Sequence, residues 1–411
     1  MLDTFYRTID EEEQKAVLDE GAALMSDGLS FRDLVDLDKL NRQAANILTK
    51  VLTARRVEAD SAMLASMAQK LVAQVSGLEF LMPVFKRDDI SNIFINPDGT
   101  VRVQKKGQQG YETVKQTIKP QEVDRVVEAL LRASGRALTE ATPTVDAKLP
   151  RIASLPGLMG GARVKLIHPV IATGKYEFPS ISIRLYQNTP VHPDDLVNWK
   201  MAPQKVIDGL LDFVARKARL LVVGGTNTGK TTLLSALCNG GIYKEARIVK
   251  IEDPEEIWLE HPHVITLEAR PAPPGSSVPP YTIRDGVDDA MRMSPDWLIV
   301  GEVRTGDAAL TLFRAQMSDH PGLSTFHAES PEYAIYRVGN LLISDTQETN
   351  MDNARSTFAM AVDLIVQVGW RENHRMILGV WEIEKMLSGG NVVIHQLYKP
   401  GDASIQKMTV R

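Results

Sequence analysis

The sequence predicts an α/β fold. A C-terminal domain has a parallel sheet and a glycine-rich loop, a mixed α/β domain precedes it, and an extra helical region lies at the N-terminus. Three observations carry this expectation. Apolar strands alternate with helical stretches after residue 204, as a sheet covered on both faces requires. A glycine-rich segment, Gly224 to Thr231, falls between one such strand and a helix. The hydrophobic period also changes from three-to-four to two near residue 79.

Residues 1–78 read as all-helical. Leu37, Leu40, Ala44, Ile47 and Val51 share one apolar face, and Met63, Met67, Leu71 and Val75 repeat it four apart. The methionine stripe reads as a core face, with a docking face as the other reading. Residues 79–186 form the mixed domain. ISNIFINPDGTVRVQKKG alternates around Asn96 to Gly99, which predicts a hairpin. A helix follows Pro120, lined by Val123, Val126, Val127, Leu130 and Leu131, and Gly135 ends it. ARVKLIHPVI and SISIRLY read as strands. Three prolines and weak periodicity mark 187–203 as a linker. In 204–411, RLLVVGG is a buried strand and KTTLLSALCN opens a helix. RIVKIED and DWLIVGE are strands ending in acid, and RPAPPGSSVPP (270–280) is a proline-rich loop.

Composition narrows the function classes. With 411 residues, 44% hydrophobic and 24% charged, the chain can bury a sizeable core. A net charge of −5 gives no footprint for nucleic acid, so no direct specific nucleic-acid partner is expected. One cysteine, Cys238, excludes a disulfide framework and a four-cysteine zinc element. The acidic N-terminus lacks the apolar stretch of a signal peptide, and no apolar run is long enough to span a bilayer. A cytoplasmic location is expected, with membrane attachment through partners.

GGTNTGKT, Gly224 to Thr231, fits G-x-x-x-x-G-K-[ST] between a strand and a helix. Glycines let the backbone curl its N–H groups inward at phosphate oxygens, and the helix behind adds positive potential. Gly224, Gly225, Thr226, Asn227, Thr228, Gly229, Lys230, Thr231 and Thr232 are the candidate nucleotide contacts. Lys230 would reach the outer phosphates, and the Thr231 hydroxyl would hold Mg²⁺. No N-K-x-D guanine-reading motif occurs. The loop alone leaves a small-molecule kinase open.

Parallel strands deliver their C-terminal residues to the edge that carries this loop. Glu252, Asp253, Glu255 and Glu256 follow one strand; Glu302 and Arg304 end another. Hydrolysis needs a carboxylate to orient or deprotonate water, and acids to hold the hydrated Mg²⁺. Glu302, after four apolar residues and a glycine, is the leading candidate for the water and contacts the metal through it.

GGTNTGKTTLL, RIVKIEDPEEIWL, RMSPDWLIVGEVRTGDA and HPGLSTFHAES, in this order, resemble the Walker A loop, Asp box, Walker B and His box of the type II/IV secretion traffic ATPases. The resemblance covers roughly residues 80–395. It looks closest to the type IV secretion branch and its Tad-pilus relatives. It implies a RecA-like C-terminal domain, ATP and Mg²⁺, and a cytoplasmic homo-hexamer peripheral to the inner membrane. Implied partners are inner-membrane components and other ATPases of a secretion apparatus. It also implies catalytic roles for Lys230, Glu252, Glu302 and His327, and for two arginines of the preceding domain at the phosphates, best matched by Arg163 and Arg184. The implied function is powering transport or pilus assembly by a conjugation-like apparatus. Tad-type pilus assembly, a RecA-type DNA translocase and a non-hydrolysing adaptor are the alternatives.

The chain departs from the family pattern in places. Asn227 and Thr228 stand where Gly-Ser is usual, Asp307 replaces a common Glu, and Asp319 precedes His320 where glycine is usual. The first 78 residues have no clear counterpart in short members. His320 and His327, seven apart with no cysteine near, do not suit zinc. His327 is the candidate γ-phosphate sensor. A carboxylate at Asp319 would favour the imidazolium form of His320.

Overall fold

The computed structural model describes residues 9–408, apart from 27, 58, 79, 109, 116–117, 133–134, 173–177, 188, 273–275 and 347–349. The chain divides into two units, Met1–Asn188 and Thr189–Arg411.

The first unit opens with helices α1 (Glu11–Ser26), α2 (Phe31–Val35), α3 (Leu37–Ala54), α4 (Ser61–Ser76) and α5 (Met82–Phe85). Side chains one turn back satisfy their orphan N–H groups. Asp36 accepts from Lys39 N, Asp60 from Met63 N, and Ser30 with Asp33 forms a capping box. Strands β1 (Ile90–Ile95), β2 (Val101–Lys105) and β3 (Glu112–Lys115) follow. Then come α6 (Pro120–Leu131), β4 (Thr144–Leu149), β5 (Ala162–Ile167) and β6 (Ser180–Leu185). The strands form an antiparallel sheet in the order β3-β2-β1-β6-β5-β4. The β1–β2 hairpin turns at Asn96–Gly99, with Gly99 at φ 76. One apolar core runs through the whole unit, from Val17 of α1 and Met67 and Leu71 of α4 to Ile93 and Val164 of the sheet. The methionine stripe is therefore core. The helical residues expected to form a separate extension pack into the same interior as the mixed α/β residues.

Residues 187–203, read as a linker, contain helix α7 (Pro193–Asn198). The prolines misled because Pro193 occupies the first helical turn, where its missing N–H costs nothing. Val191, Leu196, Met201 and Ala202 are buried in the second unit's core.

The second unit continues with α8 (Gln204–Ala215), β7 (Leu220–Gly224), α9 (Lys230–Gly241), β8 (Ile248–Glu252), β9 (Val264–Glu268), α10 (Ile283–Met291) and β10 (Trp297–Val303). It ends with α11 (Gly306–Met317), β11 (Gly322–His327), α12 (Pro331–Asp345), α13 (Met351–Ala361), β12 (Leu364–Arg371), β13 (His374–Ile383) and β14 (Ile394–Tyr398). The sheet order is β14-β13-β12-β7-β11-β10-β8-β9. The strands from β12 to β9 are parallel, while β13 and β14 add an antiparallel edge. All five β7 residues are buried, and they alternate between two cores. Leu220 and Val222 share one core with Leu233 and Leu237 of α9, whereas Leu221 and Val223 share the other with Leu312 and Phe313 of α11. Burial on both faces explains the continuous apolar run in the sequence.

Asp363 clamps the sheet edge at the start of the parallel strands. Its carboxylate accepts from Arg219 N at 2.8 Å, Arg219 Nη2 at 2.7 Å and Lys385 Nζ at 2.7 Å, at 2% exposure. Burial alone would raise this carboxyl, but the Arg219 and Lys385 contacts outweigh it and hold it at about 2. The folded value lies below the ordinary 3.8. The contribution is therefore complete above about pH 4 and is lost as pH falls towards 2. Asp363→Ala is expected to cost about 1.5–3 kcal/mol in urea unfolding at neutral pH, since Arg219 and Lys385 lose the buried carboxylate they share. A loss below about 1 kcal/mol would contradict the clamp.

Candidate active site

β7 runs into the loop at Gly224 and α9 leaves it at Lys230. A Cβ on Gly224 would sit 2.5 Å from Val368 O and 2.6 Å from Thr228 Oγ1, so no side chain fits there. Asn227 (φ 60) and Gly229 (φ 95) take left-handed conformations and curl the loop. Thr228 Oγ1 donates to Gly225 O at 2.9 Å. Lys230 Nζ lies folded onto the loop, donating to Gly224 O at 3.1 Å and Gly225 O at 2.9 Å. Thr231 and Thr232 occupy the first turn of α9. All the loop residues nominated from sequence thus belong to one strand–loop–helix turn.

Glu302 sits two strands away on β10, at a bulge. Val300 pairs with Ser324 and Val303 with Phe326, so β10 carries one residue more than β11 across the interval. Thr325 Oγ1 donates to Gly301 O at 2.6 Å within the bulge. Bulges re-aim side chains beside active sites. Arg304 Nε and Nη2 each lie 2.8 Å from Glu302 Oε2, and Arg304 Nη1 lies 3.6 Å from Asp253. Both contacts fall on Oε2, leaving Oε1 for another partner.

Glu252 differs in setting. It is 2% exposed, and its Oε1 accepts from Glu256 N at 3.0 Å and Ile257 N at 2.9 Å. Its Oε2 lies 2.8 Å from Lys250 Nζ, itself 2% exposed. Burial pushes the Glu252 carboxyl above the usual range against the pull of Lys250. Lys250 also bonds Glu255 at 3.1 Å and Ile257 O. Glu252 thus fastens the acidic turn to its own strand and adjoins Gly301, whose Cβ would meet Glu252 Cγ at 2.9 Å.

The two histidines part company. His327 pairs with Gly224 in the β11–β7 register, level with the phosphate loop, and its carbonyl accepts from Arg337. His320 precedes the other end of β11, about 20 Å away at roughly 3.3 Å per residue. Asp319 leaves α11 at φ 66 with an exposed side chain. Among the described residues the two make no ion pair, so the expected effect of Asp319 on His320 has no contact behind it.

Arg163 and Arg184 lie in the first unit, directly opposite one another across β5 and β6. Arg163 Nη2 is 3.5 Å from Asp146.

Sequence reading missed Arg375, whose Nη2 donates to Asn227 Oδ1 at 2.6 Å across 148 residues. It also missed Lys250 as the buried partner of Glu252. The strand pattern around Lys250, with apolar residues on both sides, was the available signal.

A glycine-rich loop between a parallel strand and a helix, with an acid-bearing strand end at the same edge, defines a P-loop nucleotide-binding protein. Residues 91–368 match the family model described as Type II/IV secretion system protein, and the chain belongs to that family. It is 34% identical over 214 residues to a putative conjugal transfer protein of Mycobacterium tuberculosis, spanning 51% of this chain and 57% of that one. It is 27% identical over 304 residues to the conjugal transfer protein TrbB of Rhizobium radiobacter, covering 72% and 84%. A crystal structure of the pilus retraction motor PilT with bound ADP shares the fold at TM-score 0.52 and 18% identity, covering 79% of this chain and 83% of that one.

Proposed function

We propose that this chain is a Mg²⁺-dependent ATPase that assembles as a hexamer and powers transport or pilus assembly by a type IV secretion, conjugation-like apparatus. The observation that carries the reading is the shared sheet edge of Lys230 and the bulge-borne Glu302. Lys230 would exchange its loop carbonyls for the outer phosphates, and Glu302 would orient water or take its proton through Oε1. Glu252 would position this edge by holding the acidic turn.

The residues suit a hard cation. An alcohol oxygen on Thr231 and carboxylates on Glu302 and Asp253 share one edge. Among the described residues no cluster of three or more His, Cys, Asp or Glu could hold a metal alone. Bound there, Mg²⁺ would neutralise charge on the phosphates.

Arg163 and Arg184 are assigned to the phosphates by family resemblance. His327, level with Gly224, would sense the γ-phosphate. Secretion components at the cytoplasmic membrane face are the proposed partners. No described helix is long and apolar enough to cross a membrane.

Phosphate release from ATP tests this reading. His327→Ala is expected to lower turnover about tenfold, the worth of a hydrogen bond to a charged group. His320→Ala should stay within about twofold, and equal losses would remove the sensor assignment. Folded wild-type protein that releases no phosphate would overturn the enzyme reading. Light scattering in ATP reads the assembly, and a persistent monomer would overturn the hexamer.

A further inference from the structure

The phosphate loop is braced from outside by the β12–β13 hairpin. Its turn residues Glu372 (φ 50) and Asn373 (φ 65) return the chain so that Arg375 stands beside the loop. The β12 residue Val368 supplies the carbonyl against which Gly224 packs. Arg375 stacks over the Trp370 ring at 5.1 Å, which fixes its direction. Its Cδ lies 3.6 Å from where a Gly229 Cβ would be, and its Nη2 donates to Asn227 Oδ1 at 2.6 Å. The Arg375 side chain therefore spans the loop, its stem beside Gly229 and its guanidinium at Asn227.

Asn227 is a non-glycine residue at φ 60, a conformation that is costly for most side chains and that asparagine tolerates best. Glycine, usual at this position, has no side-chain oxygen for an arginine to hold. Substituting asparagine stiffens the loop and creates the acceptor in one step.

We propose that Arg375 is a positioning residue for the phosphate loop, acting through the side chain of Asn227 to hold the loop in its nucleotide-receiving shape. This deepens the reading of Gly224–Thr231 as the ATP site and rests on it. The bond is charge-assisted and short, and such bonds are roughly twice as strong as neutral ones. It also ties the loop to the hairpin, so a loop that shifts on binding phosphate would move Arg375 and Trp370 with it.

A double-mutant cycle on the full chain tests this, with ATP affinity read by titration calorimetry. Arg375→Ala and Asn227→Gly are each expected to weaken ATP binding by about five- to tenfold. The double variant should bind within about twofold of the weaker single one, because both changes break the same bond. Arg375→Lys, which keeps a charged donor, should recover part of the affinity when Asn227 is present and none when it is glycine. Losses that multiply in the double variant would overturn the proposal by showing that Arg375 acts independently of Asn227. Unchanged affinity in Arg375→Ala would overturn it as well. Thermal unfolding without nucleotide accompanies each variant; if Arg375→Ala fails to fold, the Arg375→Lys pair decides by the same criterion. Wild-type protein that binds no ATP would instead defeat the underlying site assignment.

Discussion

Lys230→Ala is expected to reduce ATP turnover by at least about a hundredfold, the loss typical of removing one preorganised donor to developing charge. Lys230 opens α9 and its ammonium rests on two carbonyls of its own loop, Gly224 O and Gly225 O. These are ready partners for an ammonium awaiting phosphate. Alanine removes the cation from the loop, yet α9 keeps a good helix former at its first position. The fold should survive, and circular dichroism with thermal melting checks that. Turnover within tenfold of wild type in a folded variant would show that the phosphates are handled elsewhere.

Glu302→Gln should separate binding from chemistry. The amide is nearly isosteric, keeps a carbonyl oxygen towards Arg304, and leaves the bulge held by Thr325 and Gly301. What it loses is the capacity to take a proton. ATP affinity should stay within about threefold, while kcat falls about a hundred- to ten-thousandfold, the usual reach of general-base catalysis. Rapid-quench kinetics with a binding titration measure the two arms. Undiminished turnover would remove Glu302 from the base role and direct attention to Glu252. The Glu252 carboxyl starts from a poor position for that role, being 2% exposed and tied to Lys250 and two backbone N–H groups.

The parts of the site legible in the sequence are those written locally. The loop is a contiguous pattern, and β7 reads as fully buried because both its faces meet helices. The end of β10 announces an acid. The parts that escaped depend on distance along the chain or on a shift in register. The bulge at Gly301–Glu302 is visible only against β11, and the grip of Arg375 on Asn227 joins residues 148 apart. Lys250 shows the limit of pattern reading. A charge in a buried strand is tolerable when carboxylates and a carbonyl surround it, and those partners become visible only when the acidic turn folds back. The prolines of 187–203 signalled a break in periodicity correctly, but Pro193 starts a helix there. The helical face of residues 37–75 was readable as apolar, whereas its sharing of one core with the first sheet was not.

Asp319 shows how adjacency in sequence differs from contact. Its left-handed backbone lets the chain leave α11, and its side chain is exposed. The asymmetry of the two histidines instead comes from strand direction. β11 runs parallel to β7, so His327 arrives at the loop while His320 starts at the opposite edge.

ATP is expected to bind and to be cleaved at the edge formed by Gly224–Thr231 and Glu302. The position of the nucleotide in an experimental structure of Glu302→Gln with ATP and Mg²⁺ tests it most directly. The expected result is phosphates within the loop, Lys230 Nζ moved from the Gly224 and Gly225 carbonyls onto them, the metal on the Thr231 hydroxyl, and residue 302 facing the γ-phosphate. ATP bound away from this loop, or bound with Lys230 still on its carbonyls and residue 302 turned away, would contradict it.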